Sequence, residues 1–132
     1  MKELLQKIEA PQAPKALGPY SQAIALKENR PLLFVSGQLP IDPKTGALVT
    51  GDMHTLTKQV LDNLEAILQA GGSSLDRVVR VDVFLKNLKD FVAMNEEYAK
   101  RFKGPVTPAR QTIQVADLPL GSSIEISCIA AI

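Results

Sequence analysis

Two side chains near the C-terminus have the types and the spacing that could do chemistry. The run from Thr107 to Ile126, TPARQTIQVADLPLGSSIEI, places Arg110 at the start of one strand-like segment and Glu125 within the next. The arginine fork binds a planar carboxylate through two parallel hydrogen bonds. A carboxylate in a partly desolvated cleft can have its pKa raised and act as an acid or a base. The pair therefore predicts a site that holds a small carboxylic acid and moves a proton beside it.

The same pair also fits a structural ion pair that holds a hairpin or a subunit contact, because such pairs are common in proteins. Strand alternation places Arg110 and Thr112 on one face of their strand, and Glu125 and Ser127 on one face of theirs. We expect these polar side chains to lie opposite the apolar core. The spacing is compatible with a common cleft, but it leaves the register of the two strands open.

The elements that position this pair follow from hydrophobic periodicity. Short alternating or apolar runs predict strands, and two stripes with three- and four-residue spacing predict amphipathic helices. Asp52 and Asn87 are candidate N-caps of the helices, and Gly71-Gly72 and Gly104-Pro105 are candidate stops. The predicted strands are 21–27, 32–36, 78–85, 110–116 and 123–131, and the stripes run from Leu56 to Leu68 and from Leu88 to Phe102.

The order of elements is strand-strand, helix, strand, helix, strand-strand. This order predicts an α+β fold in which both helices pack on one face of a mixed β-sheet. Pro11, Pro14 and Pro19 predict an extended arm before the first strand. The second face of the sheet also carries apolar residues that a single helix layer cannot cover. We therefore expect self-association, as is common for small proteins.

Length and composition predict one globular domain over residues 1–132. The chain has 45% apolar and 22% charged residues and a formal net charge of +1, which gives no electrostatic footprint for nucleic acid or for a membrane surface. No apolar run approaches the length of a membrane span. The lone cysteine, Cys128, fits a reducing compartment and a buried core position, and the expected location is the cytoplasm.

Cofactor motifs are missing from the sequence. One histidine and one cysteine do not make a typical zinc site. His54 is expected at the surface, and the chain has neither a GxGxxG fingerprint nor a phosphate-binding loop. The prediction is a protein that works without a cofactor or a metal.

Several short motifs together resemble one known family. They are GlyProTyrSerGln at 18–22, SerGlyGlnLeuPro at 36–40, ProAlaArg at 108–110, LeuProLeuGly at 118–121 and IleGlu at 124–125. In order and spacing they look like the Rid family of reactive-intermediate deaminases, also called the YjgF family, from about Pro11 to Ile132. The resemblance implies a chorismate-mutase-like fold, a homotrimer and ligand clefts between subunits.

The resemblance also implies roles for individual residues. Arg110 is expected to bind the substrate carboxylate, and Glu125 to position or activate the hydrolytic water. Tyr20 and Ser36 are expected to line the cleft, with a further contribution from Asn95. Many relatives carry a cysteine two residues after the arginine, where this chain has Thr112, so a thiol nucleophile is not available there. Groups at residue 112 are still expected to contact the ligand.

The expected function is hydrolysis of short 2-imino acids, such as 2-iminobutanoate and 2-iminopropanoate, to 2-oxo acids and ammonia. Two other functions stay open. A non-catalytic module that binds a small carboxylic metabolite needs Arg110 but not Glu125. RNA cleavage or translation inhibition is an activity attached to some relatives, and the near-neutral charge and the lack of a histidine-based acid–base pair argue against it.

Overall fold

A four-stranded mixed sheet covered by two helices forms the body of the protein in the computed structural model, which describes residues 4–132. Short 3-10 turns at Leu75–Arg77, Leu88–Asp90 and Pro119–Gly121 lie between the longer elements. In chain order the strands and helices are β1 Leu5–Ile8, β2 Ala23–Leu26, β3 Leu32–Gln38, α1 Met53–Ala70, β4 Val78–Leu85, α2 Phe91–Arg101, β5 Ala109–Gln114 and β6 Ile124–Ala131. The α+β class expected from the sequence is confirmed.

The strand order of the main sheet is β3-β6-β4-β5. β6 is antiparallel to both of its neighbours, and β4 runs parallel to β5 at the edge. The parallel pair requires a crossover, which α2 supplies. This crossover places α2 next to β5, the strand that carries Arg110.

The two helices begin and pack as their sequences predict. The Asp52 carboxylate accepts a hydrogen bond from the backbone N–H of Thr55 at 2.9 Å and caps α1. Asn87 accepts from the Lys89 N–H at 2.9 Å and caps the 3-10 turn that leads into α2 at Phe91. One face of each helix joins a single core against the sheet. Its largest fully buried members are Tyr98, Leu61, Leu64, Leu68, Leu85, Met94, Ile124 and Ile126.

Two sequence expectations need correction. Part of the predicted N-terminal arm is a strand, because β1 pairs with β2 in a separate antiparallel hairpin from Leu5–Leu26 to Ile8–Ala23. The buried side chains of Leu4 and Leu5 dock this hairpin against Ala131. The helix of the second stripe is also shorter than predicted, since Leu88 lies in the 3-10 turn before it and is 46% exposed.

The face of the sheet away from the helices is partly bare. Phe34 on β3 is 70% exposed, and Leu32 and Ile113 are also exposed on this face, which we call the open face. Cys128, by contrast, is buried in the core beneath the helices, as expected. No helix among residues 4–132 is long and apolar enough to cross a membrane.

Candidate active site

Arg110 lies on the helix side of the sheet, at its edge. It pairs in register with Val81, and Thr112 pairs with Val83, and both valines are fully buried beneath the helices. The expectation that the polar side chains of β5 lie opposite the apolar core is therefore wrong. Because the edge strand has no further sheet neighbour along most of its length, a charged side chain there can point under α2 and still reach the surface.

Four side chains surround the Arg110 guanidinium. Its Nη1 donates a hydrogen bond to Asn95 Oδ1 at 2.7 Å. Its Cζ lies 4.6 Å from the ring centre of Tyr98, 5.5 Å from that of Tyr20 and 5.8 Å from that of Phe91. These distances are within the range of cation–π attraction. The structure thus brings together three residues that the sequence singled out, namely Tyr20, Asn95 and Arg110.

Two elements supply these partners. Phe91, Asn95 and Tyr98 recur at four- and three-residue spacing, so they share one face of α2. Tyr20 comes from the loop before β2, where its hydroxyl accepts a hydrogen bond from the Leu17 N–H at 3.2 Å. The neighbouring Ser21 bridges to Ala109 and ties this loop to the start of β5. The loop is therefore anchored to the same strand as the arginine.

The charge of Arg110 has no acidic partner in residues 4–132. Burial lowers the pKa of its guanidinium, and the tyrosines beside it act weakly in the opposite sense. The guanidinium nevertheless stays protonated, because an ordinary arginine titrates far above neutral pH. A half-buried cation with only neutral neighbours favours the binding of an anion.

Two hydroxyl groups, one on β5 and one on α2, lack a hydrogen-bond partner among the described residues. They are Thr112 Oγ1 and the phenol oxygen of Tyr98, and both atoms are buried. Burial also raises the pKa of Tyr98, so its phenol stays neutral. Thr112 shares the face of β5 that carries Arg110, so its unpaired hydroxyl lies on the same side of the sheet as the guanidinium.

Glu125 and Ser36 lie on the other face of the sheet. Glu125 pairs with Phe84 on β4, whose side chain points to the open face. A Cβ atom placed on Gly37 would lie 2.1 Å from Glu125 Oε2, so the carboxylate rests directly on the backbone of β3. Ser36 is exposed beside it, at an irregularity in the β3–β6 register. Within one chain, Glu125 and Arg110 therefore do not share a cleft.

The sequence reasoning missed three participants. Phe91 and Tyr98 had been assigned to the core stripe, although their spacing around Asn95 was visible. Gly37 is part of the SerGlyGlnLeuPro motif, but its close contact with Glu125 depends on the register of β3 and β6 and is not visible in the sequence. Among residues 4–132, no three His, Cys, Asp or Glu side chains are grouped in a way that would hold a metal ion.

The fold is that of a known protein family. The family model described as Endoribonuclease L-PSP matches residues 10–132. The chain belongs to this family, which is also known as the Rid or YjgF family, and the resemblance recognised in the sequence is confirmed.

Named relatives cover nearly the whole chain. A RutC family protein of Pyrococcus horikoshii is 52% identical over 118 residues, which are 89% of this chain and 90% of that protein. The 2-iminobutanoate/2-iminopropanoate deaminase of Mus musculus is 42% identical and covers 98% of this chain and 94% of its own. The crystal structure of E. coli TdcF with bound serine is 36% identical, covers 96% of this chain and 98% of its own, and has a TM-score of 0.72.

Proposed function

We propose that this protein hydrolyses short reactive 2-imino acids to 2-oxo acids and ammonia. The observation that carries the proposal is Arg110, a half-buried cation that has no carboxylate partner in residues 4–132 and is held by one amide and three aromatic rings. Its unused N–H groups form the fork that a substrate carboxylate would occupy. The mouse relative, which is named 2-iminobutanoate/2-iminopropanoate deaminase, supports the same substrate class.

The carboxylate end of the substrate is bound on the helix side of the sheet. Arg110 pairs with the carboxylate, and Asn95 holds the guanidinium in place through its 2.7 Å hydrogen bond. Tyr20 closes one side of the cleft, and the free hydroxyl of Thr112 offers one further hydrogen bond. TdcF, a relative that binds the amino acid serine, supports a site for small molecules that carry a carboxylate.

A neighbouring chain completes the site in this proposal. Glu125 and Ser36 lie on the open face of their own sheet and cannot reach Arg110 of the same chain through the sheet. The exposed Phe34, Leu32 and Ile113 give that open face the apolar character of a subunit interface. We propose a homotrimer in which Glu125 and Ser36 of one chain face Arg110 of the next.

The chemistry then needs only side chains and water. Water attacks the carbon of the protonated imine while Glu125 accepts a proton from the water, which gives a neutral tetrahedral carbinolamine. Glu125 returns this proton to the nitrogen, the C–N bond breaks and ammonia leaves, while the carbinolamine hydroxyl gives its proton back to the Glu125 carboxylate and becomes the carbonyl of the 2-oxo acid. No covalent enzyme intermediate occurs, so threonine at position 112 in place of a thiol does not block the reaction. We propose that the protein acts as a single domain, in the cytoplasm and without a cofactor.

A coupled assay tests the proposal. An amino-acid dehydratase generates 2-iminobutanoate in solution, and its loss is followed with and without this protein. Wild type should accelerate the loss above the spontaneous rate, and Arg110→Ala should lose at least about a hundredfold in kcat/KM, because two charge-assisted hydrogen bonds disappear. Arg101→Ala is the matched control, since it removes a guanidinium that pairs with Asp62 and Glu65 on α1. Equal rates for wild type and Arg110→Ala would end the deaminase proposal.

The separation of Arg110 from Glu125 within one chain also favours a second candidate, a carboxylate-binding module without catalysis. Such a module needs the guanidinium but not the glutamate. Glu125→Gln separates the two candidates. An enzyme loses about a hundredfold to ten-thousandfold in rate and keeps carboxylate binding, whereas a binding module has no rate to lose.

A further inference from the structure

The aromatic rings around Arg110 have a role that the catalytic scheme leaves unassigned. The ring centre of Tyr98 lies 4.6 Å from the guanidinium Cζ, and the same ring stacks on Phe102, the residue that follows α2, with 4.5 Å between the ring centres. Phe91 lies about two turns nearer the N-terminus on the same face of α2, with its ring centre 5.8 Å from the arginine Cζ. With Tyr20 from the loop, these rings leave the guanidinium little freedom to swing.

The hydroxyl of Tyr98 does not explain why a tyrosine stands there. It is buried and lacks a hydrogen-bond partner among residues 4–132. The ring therefore provides the contact to Arg110, and the hydroxyl contributes no bond to it. A phenylalanine at this position would keep the stacking and remove a buried unpaired group.

We propose that Tyr98 and Phe91 are positioning residues, whose rings hold the Arg110 guanidinium in the orientation that accepts a substrate carboxylate. The inference rests on the proposed function, because it assigns the carboxylate to Arg110. Arginine is a long side chain with several rotatable bonds, and binding is stronger when its fork is oriented in advance. The hydrogen bond to Asn95 restrains only one nitrogen atom of the Arg110 guanidinium, so the aromatic rings must fix the orientation of the guanidinium plane.

The test measures butanoate binding by calorimetry and deaminase kinetics for matched variants. Tyr98→Leu should weaken butanoate binding and raise KM about tenfold, with a small change in kcat, since a cation–π contact with the partly buried guanidinium is lost. Tyr98→Phe should restore both values to within about twofold of wild type. Phe91→Leu, at a half-buried position with less packing to lose, should move binding in the same direction as Tyr98→Leu.

Leu64→Ala is the control for loss of core packing, because it empties a buried position on α1, the helix that carries no partner of Arg110. If the role of Tyr98 were purely structural, Tyr98→Leu and Leu64→Ala would both lower the folded fraction and the apparent kcat, and both would leave KM unchanged. If Tyr98→Leu binds butanoate like wild type, the positioning role is refuted while the proposed function stands. If wild type itself neither binds butanoate nor deaminates, the proposed function fails first.

A spectroscopic signature adds an independent readout. Tyr20 and Tyr98 are the two tyrosines of the chain, which has no tryptophan. Both ring centres lie within 6 Å of the Arg110 guanidinium, so tyrosine fluorescence should change when bound butanoate neutralises the charge of the guanidinium. In Tyr20→Phe the remaining signal comes from Tyr98 alone. An unchanged signal in this variant at saturating butanoate would overturn the proposed contact.

Discussion

Arg110 and Glu125 lie on opposite faces of one sheet. Arg110 aligns with the buried Val81 beneath the helices, whereas Glu125 aligns with Phe84 on the open face. The β4 strand lies between β5 and β6, so the two groups are separated both across the sheet and along it. A site that uses both must take them from different chains.

Complementation between two inactive variants tests this arrangement. Arg110→Ala and Glu125→Gln should each be inactive alone. When the two are co-expressed in equal amounts, random mixing gives about a quarter of the sites one intact arginine and one intact glutamate, so about a quarter of wild-type activity should return. A site contained within one chain would regain nothing, and a mixture that stays inactive despite proven mixed trimers refutes the shared cleft.

Phe34 should control assembly. Its ring is 70% exposed on the open face, and burying it in an interface contributes about 1.5–3 kcal/mol per chain. Phe34→Asp loses that contribution and introduces a charge that must be desolvated, so association should weaken by at least about a hundredfold and activity should fall with it. Sedimentation velocity measures the assembly. Leu17→Asp is the matched control, since Leu17 is also highly exposed but lies in the loop before β2.

A third prediction concerns the support of Glu125 by β3. In Gly37→Ala the new methyl group would lie 2.1 Å from Glu125 Oε2, so the carboxylate must move. Deaminase activity should fall toward that of Glu125→Gln, with butanoate binding at Arg110 kept. Gly104→Ala is the control, because a Cβ there meets nothing within 4 Å. Full activity of Gly37→Ala would show that the position of Glu125 on β3 is not important for the reaction.

Sequence patterns were sufficient for the parts of this fold that depend on local periodicity. The stripe from Leu56 to Leu68, the Asp52 cap and the alternation in β4 each depend on neighbours a few residues away, and the structure has them where expected. The face of Arg110 was predicted wrongly, because polarity suggested an outward side chain. Its actual direction depends on the pairing of β5 with β4, which are separated in the chain by α2, and on contacts with Phe91 and Asn95 of that helix.

The N-terminal hairpin escaped prediction for a similar physical reason. β1 contains polar residues at Gln6 and Lys7 and has a single buried residue, so it lacks a clear period. Its stability comes from pairing with β2 and from packing of Leu4 and Leu5 against the end of β6, which are both distant in sequence. The resemblance to the family does not depend on local periodicity, so it pointed to Tyr20, Asn95 and Arg110, which the structure brings into contact.

Cys128 should be inert in the native protein. Burial raises the pKa of its thiol from the ordinary 9.0 to about 11, and the reactive form of cysteine is the thiolate. A thiol-specific reagent at pH 8 should therefore modify the folded protein far more slowly than the denatured protein, and activity should persist throughout.

The Cys128 thiol is protonated in both the folded and the unfolded state below pH 9. Above it the unfolded thiol ionises first, so the stabilising contribution of burial declines as pH rises toward 11. A Cys128→Ala variant should lose this part of the alkaline decline in chemical denaturation. Rapid native modification that abolishes activity would instead place a reactive thiol at the site.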